Sequence, residues 1–358
     1  MNIQELLAEI RQGLTGEYSV DIVYLEGQAA KYRNTPNGRE IEGAIADIAY
    51  EILPEDKKQE IGKLMYLDGK RLDAVLAEAI QLVTDKKIEE AFRLTEALYT
   101  KIRINYRETE DEIYLSLRNP LEHQLYLHLY HPSKTLQRPP FDLSRMIMLH
   151  GYVLLEMNRP EEAIRVLGDS IRYNPMNTDP FFEMAECYKV LGQPEDLLSV
   201  TKETLEIATT PKELSRCYCN LGYYCVEVKD YDSAVCFYYE SLIYDNNPVV
   251  QGELHHIRSI TQKKLVPPSR KEVEAAFEKY GMHPGADDEV VSVVASLSKH
   301  AMETKKNDEA LFYLTVLYGL TRDPDVKEML DQYTPKKDKQ PVNRAEKFNR
   351  PSKHPLLF

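Results

Sequence analysis

Thiols, imidazoles and paired carboxylates are the groups in these 358 residues that could carry chemistry. The five cysteines are Cys187, Cys217, Cys219, Cys225 and Cys236. Cys217 and Cys219 stand two apart on one helix, so their side chains diverge by roughly 200° and cannot grip one ion. The other three fall on packing positions or on other helices, and the set reads as core thiols. His128 and His131, in "LEHQLYLHLYHP" with His123, could share a helix face as an i, i+3 ligand pair. No third ligand with suitable spacing follows, and HExxH is absent. These histidines, and the pair His255-His256, read as solvated or hydrogen-bonded groups. No phosphate-cradling GxxxxGK[ST], dinucleotide GxGxxG or nucleophile-elbow GxSxG occurs. The acid pairs Glu161-Glu162 and Asp287-Asp288 begin helices, where the helix dipole favours negative charge. The expectation is a protein without catalytic residues, metal or cofactor.

The totals set the scaffold. Glycine is scarce at 15 residues, β-branched runs are few, and Leu, Ala, Glu, Lys and Tyr dominate, so the chain should be nearly all helix. "MNIQELLAEIRQGL" opens as an amphipathic helix, without the basic start and apolar run of a signal peptide. The longest apolar-rich segment, "MIMLHGYVLLEM" (146–157), is too short to span a bilayer. An odd number of cysteines without an export signal points to reduced thiols in the cytoplasm. Net charge is −13, with seven Lys/Arg against Asp338 and Glu346 after Thr334, leaving −18 on the body. Such an acidic body argues against a nucleic-acid surface.

A repeat organises the middle of the chain. Gly151 and Ala163 stand twelve apart, as do Ala185 and Leu197, and Gly222 and Ala234 within "NLGYYCVEVKDYDSAVCFYYESL". The second pair follows the first by 34 residues, and the third follows by 37, with the loop at Pro211 absorbing three. A 34-residue helical period marks stacked helix–turn–helix units. With repeats starting at Ser144, Thr178 and Ser215, position 4 holds Ile147, Phe181 and Tyr218. Position 8 holds Gly151, Ala185 and Gly222, and position 11 holds Leu154, Tyr188 and Cys225. Position 20 holds Ala163, Leu197 and Ala234, and position 24 holds Leu167, Thr201 and Tyr238. Position 27 holds Ser170, Thr204 and Ser241, and Pro175 closes the first repeat. On these residues the chain resembles the tetratricopeptide (TPR) family. Small side chains at 8 and 20 let paired helices approach closely while larger ones fill the space beside them. The second repeat departs at Leu197 and Thr201. Weaker copies flank the core, with Ala79, Leu82 and Ala91 on one side and Ser298, Ala301, Ala310 and Leu314 on the other.

The expected architecture is an all-α, TPR-like helical solenoid with degenerate flanking repeats. Residues 1–66 read as helices near 3–13, 20–33, 38–53 and 55–66, forming an N-terminal cap or irregular repeats. Residues 67–143 hold a degenerate repeat and a connecting segment, in which Asn119-Pro120 starts a helix to Tyr130 and 131–140 is a loop. Residues 144–248 are the three repeats. Residues 249–333 supply C-terminal helices with a degenerate repeat, including a capping box at Ser269 and Glu272. Residues 334–358 read as a disordered basic tail.

The TPR resemblance implies a concave groove lined by the first helix of each repeat. Carried over, it takes Arg145, Met148, Tyr152 and Glu156 from the first repeat, and Asp179, Phe182, Glu183, Glu186 and Lys189 from the second. The third gives Arg216, Cys219, Asn220, Tyr223 and Glu227. Aromatic platforms flanked by acids suit an extended protein or peptide segment with basic and apolar residues. The same side chains could instead solvate an idle face. The Lys/Asn/Arg clamp with which some TPR proteins hold chaperone C-termini is not supported, because Met148 and Tyr152 replace its Lys and Asn. The functional expectation is a non-catalytic interaction scaffold, without nucleic acid or membrane. The alternative is a peptide-responsive regulator like bacterial TPR receptors, with residues 1–66 as the switched module. The basic tail either docks in the groove, offering Lys347, Phe348 and Arg350, or remains a solubilising appendage.

Overall fold

The computed structural model describes residues 3–33, 35 and 37–334. The tail expected at 335–358 therefore lies outside the described residues. The chain opens with α1 (Ile3–Gln12), α2 (Tyr18–Tyr32) and α3 (Gly38–Glu51), close to the spans read from sequence. These three enclose a small core of their own from Leu6, Ile10, Leu25, Ile41, Ile45 and Ile48. Buried Asp21 ties the turn before α2, accepting from Thr15 N at 2.7 Å, Thr15 Oγ1 at 2.8 Å and Gly16 N at 2.9 Å. Those donors hold its carboxyl below the usual range.

Next come α4 (Glu55–Met65) and two short antiparallel strands, β1 (Tyr66–Leu67) and β2 (Lys70–Arg71). Asp68 and Gly69 between them have φ of 49° and 78°, the backbone that a two-residue hairpin turn requires. The repeat array then begins with α5 (Leu72–Thr84) and α6 (Ile88–Asn105). An insert follows: β3 (Glu112–Tyr114), α7 (Pro120–Tyr130) and β4 (Thr135–Gln137), with β3 and β4 paired in parallel. Its helix starts as Asn119-Pro120 predicts, with Asn119 Oδ1 accepting from Glu122 N at 3.0 Å. Strand β4 falls inside the stretch read as plain loop. Nothing in "HPSKTLQRPP" alternates strongly enough to announce a three-residue strand.

The array continues as α8 (Leu143–Glu156), α9 (Pro160–Tyr173), α10 (Asp179–Leu191), α11 (Pro194–Leu205), α12 (Pro211–Glu227), α13 (Tyr231–Tyr244) and α14 (Pro248–Thr261). Each hairpin packs internally, and its second helix packs on the first helix of the next unit: α6 on α8, α9 on α10, α11 on α12, α13 on α14. That alternation makes a solenoid. The repeat positions form its interior, with Ile147, Ala163, Leu167, Ala185, Leu197, Thr201, Tyr218, Cys225, Ala234 and Tyr238 among its buried side chains.

One turn geometry recurs through the molecule. Lys86, Asn158, Gly192, Lys229 and Lys305 have φ between 57° and 64°. Each lies seven residues after Ala79, Gly151, Ala185, Gly222 or Ser298, the first-helix small residue of its hairpin. The next residue donates its backbone N–H back across the turn: Lys87 to Leu82, Arg159 to Leu154, Gln193 to Tyr188, Asp230 to Cys225 and Lys306 to Ala301. These are Schellman closures, satisfying carbonyls at the end of each first helix. The two degenerate hairpins thus turn in the same register as the three clear repeats.

After α14 the path changes. Helix α15 (Arg270–Lys279) packs on α13 rather than α14, and α16 (Asp288–Glu303) lies against α7. Helices α17 (Asn307–Thr321) and α18 (Pro324–Tyr333) complete the chain's described part. The fifth hairpin, α16/α17, therefore folds back onto the array. Tyr218 anchors it, donating from its hydroxyl to Gly285 O at 2.8 Å and accepting from Gly285 N at 2.9 Å. Lys279 and the Tyr280 hydroxyl both reach Asp230 Oδ2, at 2.7 and 2.6 Å. Phe277 sits edge-on to Tyr218 and Phe237. The aromatic excess of residues 218–238 serves this second packing layer as well as the repeat.

Candidate functional site

Of the repeats' first helices, α8 packs on α10, and α10 meets α12 through Arg216 over Phe182 and Lys189 over Tyr223, so the three share a face. Glu156, Asp179 and Glu227 are exposed on it, while Arg145, Glu183, Glu186, Lys189, Arg216, Cys219 and Tyr223 are half-buried. Met148, Tyr152, Phe182 and Asn220 lie beneath the surface, at 5%, 7%, 2% and 3% exposure. These four are buried within the array, so they present little surface. Sequence position alone could not separate floor from rim.

The rings on this face are already covered. The Arg216 guanidinium lies 4.2 Å from the Phe182 ring centroid, with Nη2 3.8 Å from Glu183 Oε1. Lys189 Nζ lies 5.3 Å from the Tyr223 centroid and 2.8 Å from Glu186 Oε1. Each pair adds a cation–π contact to an ion pair across or along adjacent helices. The groups left uncovered on this face are therefore mainly carboxylates. Burial pushes the Glu183 carboxyl up, and Glu186, Asp179 and Glu156 push it further, against the opposing pull of Arg216. Burial likewise raises the Tyr152 hydroxyl to about 12, with Glu156 and Glu183 adding to it. The Tyr223 hydroxyl is raised by burial and by Glu227, Glu186 and Glu253. Glu253 belongs to α14, so the acidic strip runs over four helices, one more than the three-repeat reading covered. The signal for it was Pro248, which opens a further first helix.

Larger hollows open elsewhere. A cavity of about 840 Å³ lies between α6, α9 and the insert, lined by Tyr99, Arg103, Lys134, Arg172 and Tyr173 among others. Three of its four cations are tied to carboxylates: Arg103 and Arg172 to Asp169, and Lys134 to Glu108. An adjoining hollow of about 440 Å³ reaches His150, whose Nδ1 is 3.0 Å from Thr95 Oγ1. A third, of about 520 Å³, is lined by Leu115, Leu117, Leu136, Arg118 and His123 of the insert. The insert has no repeat pattern, which is why sequence reading did not find the two hollows it lines.

All five cysteines are unpaired. Burial raises their thiols, Cys187 and Cys225 to about 12 and Cys236 to about 11, which favours the protonated form. His128 and His131 lie tilted to each other with ring centroids 6.3 Å apart, and His128 Nε2 lies 3.8 Å from Glu289. Among the described residues no group of three or more His, Cys, Asp and Glu is placed to hold a metal ion. None of the described helices is long and apolar enough to cross a membrane.

Five hairpins closed by the same turn, four of them stacked second helix to first, define a TPR-like helical-repeat protein. No family model matches the chain, and no curated protein matches it in sequence. Among solved structures, a chain in the crystal structure of the APC/C hetero-tetramer Cut9-Hcn1 is similar at 14% identity and a TM-score of 0.31. That alignment covers 93% of this chain and 60% of the other, so this chain spans less than two thirds of its length.

Proposed function

We propose that the protein is a non-catalytic interaction scaffold that binds an extended, basic segment of a protein partner along the face of α8, α10, α12 and α14. One observation carries the reading. Glu156, Asp179, Glu186, Glu227 and Glu253 come from successive first helices, and the rings beside them are capped by the protein's own Arg216 and Lys189. A ligand there meets carboxylates in a row, spaced by the roughly 8–10 Å between packed helices. That spacing suits Lys or Arg every third residue of an extended strand. Free thiols throughout are in keeping with a reducing, cytoplasmic setting.

The test uses labelled Lys/Arg-rich peptides and fluorescence anisotropy. Glu156→Lys combined with Glu227→Lys, both at exposed positions, should weaken binding about tenfold or more at low salt. The same pair of changes should leave the thermal melt nearly unmoved. Unaltered affinity in a folded double variant would remove this face from the account.

A further inference from the structure

Resting on that reading, we infer that the face has a resident competitor: residues 335–358 of the same chain, folded back in cis. The charge pattern points there first. Lys336, Lys337, Lys339, Arg344, Lys347, Arg350 and Lys353 stand against only Asp338 and Glu346. The strip they would meet carries six acids (Glu156, Asp179, Glu183, Glu186, Glu227 and Glu253) against Arg145, Lys189, Arg216 and Arg118, the last paired with Asp179 at 3.6 Å.

The point of departure is the second observation. The end of α17 is held against the start of α12: a Cβ on Gly319 would lie 3.1 Å from Pro211. Arg322 donates to Tyr244 O at 3.3 Å, and Tyr244 packs edge-on to Tyr218 of α12. Arg216 lies five residues into α12, about 8 Å along its axis. The ten residues of α18 span about 15 Å. Thr334 is therefore within about 40 Å of the strip's edge, and the 24 residues beyond it reach about 80 Å when extended. A tether of that length holds the segment at an effective concentration of about a millimolar, enough to occupy a weak site. Because Arg216 covers Phe182, the contacts would be made by the tail's cations with the carboxylates, and Phe348 would contribute little.

The experiment compares three full-length chains binding a labelled peptide of sequence 335–358. One is unaltered. The second carries Gln in place of Lys336, Lys337, Lys339, Arg344, Lys347 and Arg350. The third adds Glu156→Lys and Glu227→Lys to that set. The neutralised chain should bind about tenfold tighter than the unaltered one at low salt, independently of protein concentration. That gain should vanish near 1 M salt, and the third chain should lose binding. Equal binding by the first two chains overturns the inference. So does undiminished binding by the third chain, or a gain that depends on protein concentration, which would place the tail on a second copy. If an unrelated Lys/Arg-rich peptide binds the first two chains equally, only the tail is excluded and the face stands. If no basic peptide binds any chain, both readings fall.

Discussion

The two outer hairpins and the middle one solve the same packing problem in opposite ways. In α8/α9 and α12/α13, a glycine at position 8 faces a large side chain at position 24. A Cβ on Gly151 would come within 2.7 Å of Leu167, and one on Gly222 within 2.7 Å of Tyr238. In α10/α11 the bulk has moved one turn along the second helix: Leu197 stands at position 20, where the others have Ala, and Thr201 stands at position 24. Ala185 then replaces glycine on the first helix. All these side chains are buried, yet the middle hairpin makes the least extensive contact of the three. Each hairpin pairs a small residue with a larger one across the interface, and the location of the bulk is free to shift.

The sharpest way to break this comparison is Gly222→Leu. The Tyr238 ring is 1% exposed and cannot swing away, so the change should cost about 3 kcal/mol or more in urea unfolding. An unchanged midpoint would remove the close-approach argument.

The next largest effect concerns His150, which stands at position 7 where the TPR pattern has Leu. It is 4% exposed between Phe92 and Tyr99, and burial, helped by Arg159 and opposed by Glu162, lowers its pKa from 6.5 to about 4. The folded state therefore holds it neutral while the unfolded state takes up a proton. The stability it contributes is complete above pH 6.5 and is lost as pH falls toward 4, by up to about 3 kcal/mol. His150→Leu should flatten that part of the stability–pH curve. A curve of unaltered slope between pH 6.5 and 4 would show that His150 titrates normally.

Smaller effects sharpen the contrast. Gly151→Ala should destabilise by about 1–2 kcal/mol despite the better helix propensity of alanine, because the added methyl meets Leu167. Ala185→Gly should also destabilise, by about 1 kcal/mol, since that position has no close approach to relieve and loses helix propensity. If Ala185→Gly instead stabilised the chain, the middle hairpin would be as crowded as its neighbours.

Much of this was legible because the repeat is written in residue sizes. Gly151, Gly222, Ala163 and Ala234 mark register directly, and caps such as Asn119 and the Ser269–Glu272 box mark helix starts through local hydrogen bonds. The return of α15–α17 onto the array was not legible. It depends on long-range pairings, such as Tyr218 with Gly285 and Asp230 with Tyr280, that leave no periodic trace. The strip's acids other than Glu253 could be named from repeat positions. Which rings were capped could not, because Arg216 over Phe182 and Lys189 over Tyr223 join residues 34 apart across helices. Met148, Tyr152, Phe182 and Asn220 went under the surface for the same reason.

The central claim is that complementary size at positions 8 and 24 sets the hairpin geometry that aligns the first helices into one face. A double-mutant cycle of Gly151→Ala and Leu167→Ala, followed by urea unfolding, tests it most directly. Gly151→Ala should be destabilising with Leu167 present. It should become neutral or stabilising once Leu167 is truncated, giving a coupling of about 2 kcal/mol. Equal cost of Gly151→Ala in both backgrounds would contradict it.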